Sequence, residues 1–81
     1  MDRARVEYHT DGCKVEAYFD LKYAQFVSTI SYGDSGTDFF IYRTDVPRGA
    51  SDFDDLYEKH RIGVADKARE LALEFGAYGA T

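Results

Sequence analysis

Apolar and polar residues alternate from Arg3 to Thr10 and again from Cys13 to Lys22, with Asp11-Gly12 between the two runs. Asp-Gly flanked by alternating hydrophobics is a strong hairpin signal, because a type I′ turn needs positive φ at both central residues. With Asp11 and Gly12 as the loop, Thr10 stands opposite Cys13, Tyr8 opposite Val15, Val6 opposite Ala17 and Ala4 opposite Phe19. All of these share one side of the ribbon, and a slip of one residue would turn the whole set into water. The other side pairs Arg3 with Asp20, Arg5 with Tyr18, Glu7 with Glu16 and His9 with Lys14, the pattern of a solvated sheet face.

Lys22-Tyr23-Ala24 connect to a third strand, Gln25 to Tyr32, rich in β-branched and aromatic residues. Gly33-Asp34-Ser35-Gly36 reads as a second turn, followed by a fourth strand from Thr37 to Thr44. Setting Tyr32 opposite Thr37 places Ile30 against Phe39 and Ser28 against Ile41 on one side. Thr29 then faces Phe40, and Val27 faces Tyr42, on the other.

Pro47 and Gly49 mark a break, after which Phe53, Leu56, Tyr57, His60, Val64, Ala68, Leu71, Ala72 and Phe75 recur at steps of three and four, the stripe of an amphipathic helix. Ser51 is the expected N-cap, with Asp52, Asp54 and Asp55 where the helix dipole favours negative charge. Gly63 interrupts the stripe, and a helical Gly costs about 1 kcal/mol relative to Ala. One long helix ending at Gly76, straight or kinked at Gly63, is the expectation, with residues 77–81 as a loose tail. The fold class is α+β: a four-stranded antiparallel meander with one C-terminal helix across one face, ββββα, in a single domain spanning 1–81. The expected core joins Val6, Tyr8, Val15, Phe19, Ile30, Phe39 and Ile41 to Leu56, Val64, Leu71 and Phe75. A single helix covers only one sheet face, so Tyr18, Val27, Phe40 and Tyr42 are left as an uncovered apolar patch, a candidate surface for a homodimer or another protein.

Composition narrows the function classes. With 31% charged and 44% hydrophobic residues the chain is a folded globular protein rather than a disordered one. Seven Tyr and six Phe in 81 residues are more than one modest core buries, so some are expected at the surface. No apolar run approaches the ~18 residues of a membrane span, and Met1-Asp2-Arg3 leading into a strand predicts no signal peptide. A cytoplasmic location in a host cell is expected, and the lone Cys13 fits it as a half-buried structural thiol.

Candidate chemistry is sparse. His60 falls on the apolar stripe, where a histidine at the core edge is the simpler reading, and His9 stands on the outer face beside the first turn. Cys13 and His9 project to opposite sides of the hairpin, a poor arrangement for a dyad or a shared metal. No spacing of Cys or His supports a metal site. Gly33 to Gly36 lacks the lysine and the strand-to-helix placement of a phosphate loop, and Asp52, Asp54, Asp55 and Glu58 lack the spaced loop of a calcium site. Neither an enzyme activity nor a cofactor is expected.

The acidity has more content. Asp34, Asp38, Asp45, Asp52, Asp54, Asp55 and Glu58 against Arg43 and Arg48 leave −5 between Gly33 and Glu58, which equals the net charge of the whole chain. Direct nucleic-acid binding requires a basic surface, whereas a localised acidic cluster suits a basic protein partner. Asp45, Asp52, Asp54, Asp55 and Glu58 are therefore the candidate partner-binding residues. In its small size, single α+β body, localised acidity, surplus aromatics and lack of a catalytic constellation, the chain resembles the small acidic phage-encoded anti-CRISPR proteins. The likeness lies in the body plan, since that class shares no motif. It implies an anti-defence inhibitor that binds a basic, nucleic-acid-handling host protein, without contacting nucleic acid or membrane itself. An antitoxin or an adaptor or assembly protein is the alternative, and a small enzyme a more distant one.

Overall fold

The computed structural model describes residues 5–80. Strands β1 (Val6–Thr10), β2 (Cys13–Asp20), β3 (Gln25–Tyr32) and β4 (Asp38–Asp45) form one antiparallel sheet in the order β1-β2-β3-β4, and helix α1 (Phe53–Phe75) follows. This is the expected ββββα, α+β architecture. Among the described residues no helix is long and apolar enough to cross a membrane.

The first hairpin has the register that Asp-Gly dictates: Thr10 pairs with Cys13, Tyr8 with Val15 and Val6 with Ala17. Asp11 at φ 51° and Gly12 at φ 83° supply the two left-handed residues that the turn requires. The expected pairs of Arg3 with Asp20 and Ala4 with Phe19 lie outside the described residues.

The second hairpin departs from expectation by one residue. Tyr32 pairs with Asp38 rather than Thr37, so Ile30 faces Phe40, Ser28 faces Tyr42 and Phe26 faces Thr44. Thr37 belongs to the loop, where its side chain and that of Ser35 share a hydrogen bond of 2.8 Å, and the Gly36 N–H donates to the Gly33 carbonyl at 3.1 Å. A shift of one residue exchanges the faces of a strand. Phe40 and Tyr42, expected on the uncovered side, therefore face the helix, while Phe39 and Ile41, expected in the core, stand exposed on the open side.

The core consists of Cys13, Val15, Ala17 and Ile30 from the sheet and Val64, Ala68 and Leu71 from the helix, ringed by Tyr8, Tyr32, Tyr42 and Ala72. Val6 and Phe75, expected within it, are about half exposed at its margin. The Cys13 thiol is fully buried and donates to the Ala68 carbonyl at 3.3 Å. Burial pushes its pKa up, which suits an inert structural thiol better than a reactive one.

Helix α1 runs unbroken through Gly63. A Cβ at that position would run into the Tyr42 hydroxyl and come within 2.8 Å of the Tyr42 ring carbon that bears it. The residue that looked like a weak point is thus where the Tyr42 side chain of β4 packs against the helix backbone. Asp52, not Ser51, occupies the N-cap, and its side chain caps no backbone N–H; the first helical bond runs from the Leu56 N–H to the Asp52 carbonyl at 3.0 Å. Past the C-cap at Gly76 the chain is held rather than loose. The Tyr78 N–H donates to the Gly12 carbonyl at 2.7 Å and the Gly79 N–H to the Gly33 carbonyl at 3.0 Å. In return the Gly33 N–H donates to Gly76 at 2.9 Å, so residues 77–80 tie the two hairpin turns together.

Candidate binding groove and its acidic rim

The helix presses its apolar stripe on the middle of the sheet, and at its first turns this leaves a wedge open toward β1. Phe53 and Tyr57, one turn apart on α1, form one wall; Phe26 of β3, Phe19 and Ala17 of β2 and Val6 of β1 form the floor and the opposite side, with Tyr18 at the margin. The groove holds about 220 Å³. That is below the ~300–1,000 Å³ of most small-molecule sites, and on the scale of an inserted side chain. The Phe53 ring centroid lies 5.3 Å from Phe19 and 5.0 Å from Phe26, both edge-on. Edge-to-face contacts of this kind favour a fixed wall over a collapsible one. Phe53 and Val6 remain 43% and 47% exposed, so apolar carbon is offered to whatever enters.

Helical spacing supplies the rim. Arg61 lies over the Tyr8 ring at 4.5 Å, which shows that its flank of α1 faces β1. Glu58 and Asp54 stand three and seven residues before Arg61 and share that flank. Both are exposed, and among the described residues neither makes an ion pair. Two exposed carboxylates therefore share the flank of α1 that faces β1, next to the Phe53 and Tyr57 wall of the groove. Of the other acids expected to act with them, Asp52 at the N-cap and Asp55 in the first turn are exposed at the same helix end. Asp45 is separate: it points to the open sheet face and accepts a 2.7 Å hydrogen bond from Gln25 Nε2. Gln25 in turn accepts from Arg43 at 3.3 Å. Asp45 is thus part of a short polar relay on the sheet, and the expected five-residue cluster divides into four acids at the helix start and one away from it.

The open sheet face is less adhesive than expected. With Phe40 and Tyr42 turned inward, Tyr18 and Val27 are what remain of the expected patch, and Val27 is only 2% exposed between its cross-strand partners Tyr18 and Arg43. The Arg5 guanidinium lies 5.0 Å from the Tyr18 ring. Exposed apolar carbon on that side comes instead from Phe39 and Ile41 of β4.

Among the described residues, His60 is the side chain with the most strongly shifted protonation equilibrium. It is 2% exposed, and its ring bridges Ser28 Oγ at 2.8 Å through Nε2 and Thr44 Oγ1 at 2.7 Å through Nδ1. Burial lowers its pKa from 6.5 to about 4, so at neutral pH the ring is uncharged, one nitrogen donating and the other accepting. A serine beside a histidine suggests a nucleophile and its base. Here Ser28 is fully buried beneath the helix, and a hydroxyl rather than a carboxylate orients the ring. The trio pins α1 to β3 and β4. Among the described residues no group of three or more His, Cys, Asp or Glu side chains is placed to hold a metal ion.

Sequence periodicity assigned Val6, Phe19, Phe53 and Tyr57 to the apolar stripes without showing that they end in an open wedge. The available signal was the aromatic surplus, concentrated at the end of the molecule where Phe19, Phe26, Phe53 and Tyr57 converge. Comparison of the chain with protein-family models, with curated proteins and with solved structures finds no match.

Proposed function

We propose that the protein is a small inhibitory binding module of the anti-defence kind, whose groove takes an apolar side chain from a basic segment of a nucleic-acid-handling protein. The observation that carries this reading is the coincidence of two features at one end of the helix: an open apolar wedge walled by Phe53 and Tyr57, and the exposed carboxylates of Asp54 and Glu58 on the adjoining flank of α1, neither in an ion pair among the described residues. The wedge supplies a desolvated anchor site of the kind that dominates interface energetics. The carboxylates, in a chain of net charge −5, supply steering and selection for a cationic partner. A lysine- or arginine-rich surface that normally holds nucleic acid has the matching chemistry.

The test is affinity capture from host lysate with four baits: wild type, Phe53→Ala, Asp54→Lys combined with Glu58→Lys, and Ile62→Ala as the control. The expected result is one basic protein retained by the wild type and lost from both variants, with Ile62→Ala, on the outer face of α1, retaining it. Equal capture by all four would remove the groove from the account.

A further inference from the structure

The two edges of the sheet are built differently. β1 is five residues long, and its open face carries Glu7 and His9. β4 is eight residues long and runs Phe39-Phe40-Ile41-Tyr42 through its centre, with Phe39 58%, Phe40 38% and Ile41 42% exposed. Its pairing with β3 is continuous from Gln25–Asp45 to Tyr32–Asp38, so no bulge twists the outer edge away. Edges left to solvent are ordinarily blunted by charge, proline, a bulge or shortness, because their free N–H and C=O groups are a template for another strand. The middle of β4 has none of these devices.

We propose that β4 pairs antiparallel with β4 of a second copy of this chain, joining two sheets into one of eight strands. Along an edge strand the outward backbone groups alternate from residue to residue. Self-pairing therefore has to set odd-numbered residues against odd and even against even. The register centred on Ile41 meets this condition. It places Ile41 against itself on the two-fold axis, Phe40 against Tyr42 twice, Phe39 against Arg43 twice and Asp38 against Thr44 twice. The opposed pairs are aromatic on aromatic on the helix side and cation on aromatic on the open side, both favourable across strands, and no like charges meet. Centring on Tyr42 instead would set Ile41 against Arg43 and Phe39 against Asp45. Centring on Phe40 would set Asp38 against Tyr42. In the Ile41 register both helices lie on the same side of the joined sheet, and the two grooves, each on the β1 side of its own subunit, stay open at the far ends.

Cysteine cross-linking reads the register directly. Opposed Cα atoms in an antiparallel pair lie about 4.5–5.5 Å apart, within disulfide reach, so the Ile41→Cys variant should oxidise to a covalent dimer at protein concentrations where the wild type associates. Phe39→Cys should remain uncross-linked, since its two copies would lie four residues apart along the strands, about 13 Å. Cys13 is fully buried and leaves the background clean. In sedimentation equilibrium the wild type should show a concentration-dependent dimer, and Ile41→Lys, which sets like charges on the axis, should weaken it at least about tenfold with a cooperative melt preserved. A wild type that stays monomeric to millimolar concentration would overturn the proposal. So would Phe39→Cys cross-linking as readily as Ile41→Cys.

Discussion

His60 joins the helix to two strands of the sheet through its hydrogen bonds to Ser28 and Thr44. It is held neutral between the Ser28 and Thr44 hydroxyls, with a folded-state pKa near 4 against 6.5 in the unfolded chain. Between those values the unfolded chain binds a proton that the folded chain refuses, so stability falls as pH drops from 6.5 toward 4 and is unaffected above 6.5. The full effect is about 3 kcal/mol. Urea titrations at pH 7 and pH 4.5 should show the wild type losing about 2–3 kcal/mol more than His60→Gln over that interval, since Gln keeps polar partners for both hydroxyls without titrating. Equal losses would mean that the ring accepts a proton inside the fold. Sequence placed His60 on the apolar stripe, and a histidine there is a core residue by periodicity alone. Its partners were not legible, because Ser28 and Thr44 reach it from two different strands and only the pairing of β3 with β4 brings them together.

At the scale of elements, the two hairpins differ in how much their sequences say. The first has one apolar and one polar face, so its pairing is over-determined by pattern and turn alike. In the second, Phe39 and Ile41 compete with Phe40 and Tyr42, and both faces of β4 look suitable for burial. Loop length decides, since Thr37 bonds back to Ser35 and shifts the strand by one. What the shift achieves is visible only across the layers: Tyr42 enters the space left by the absent Cβ of Gly63, and Thr44 reaches His60. The same contact yields a test of the register. Gly→Ala inside a helix ordinarily stabilises by up to about 1 kcal/mol. Here Gly63→Ala should destabilise by about 1–3 kcal/mol through overpacking against Tyr42, and in a Tyr42→Leu background it should become neutral or stabilising. Thermal melts of the wild type, the two single variants and the double variant form the cycle. A stabilising Gly63→Ala in the wild type would mean that Tyr42 points away from the helix.

For the whole molecule, architecture followed from local signals, whereas the site depended on how the layers end. Strand alternation, two glycine turns and a helical stripe lead to ββββα, and each is a property of neighbouring residues. The wedge exists because α1 is seated over the middle of the sheet and uncovers β1 and β2 at its first turns, an offset that no single stretch of sequence encodes. Asp54 and Glu58 were singled out by composition together with Asp45, and the fold keeps the first two at the groove and removes the third to the open face. In the proposed function those two carboxylates guide a cationic partner into the wedge instead of only answering the helix dipole. Surface plasmon resonance of the captured partner against wild type and the Asp54→Lys, Glu58→Lys variant, at several ionic strengths beside thermal melts, separates the two roles. Steering predicts slower association and a shallower salt dependence in the variant, with the melting temperature nearly unchanged. An unchanged association rate with a lowered melting temperature would contradict it and leave the acids as local helix chemistry.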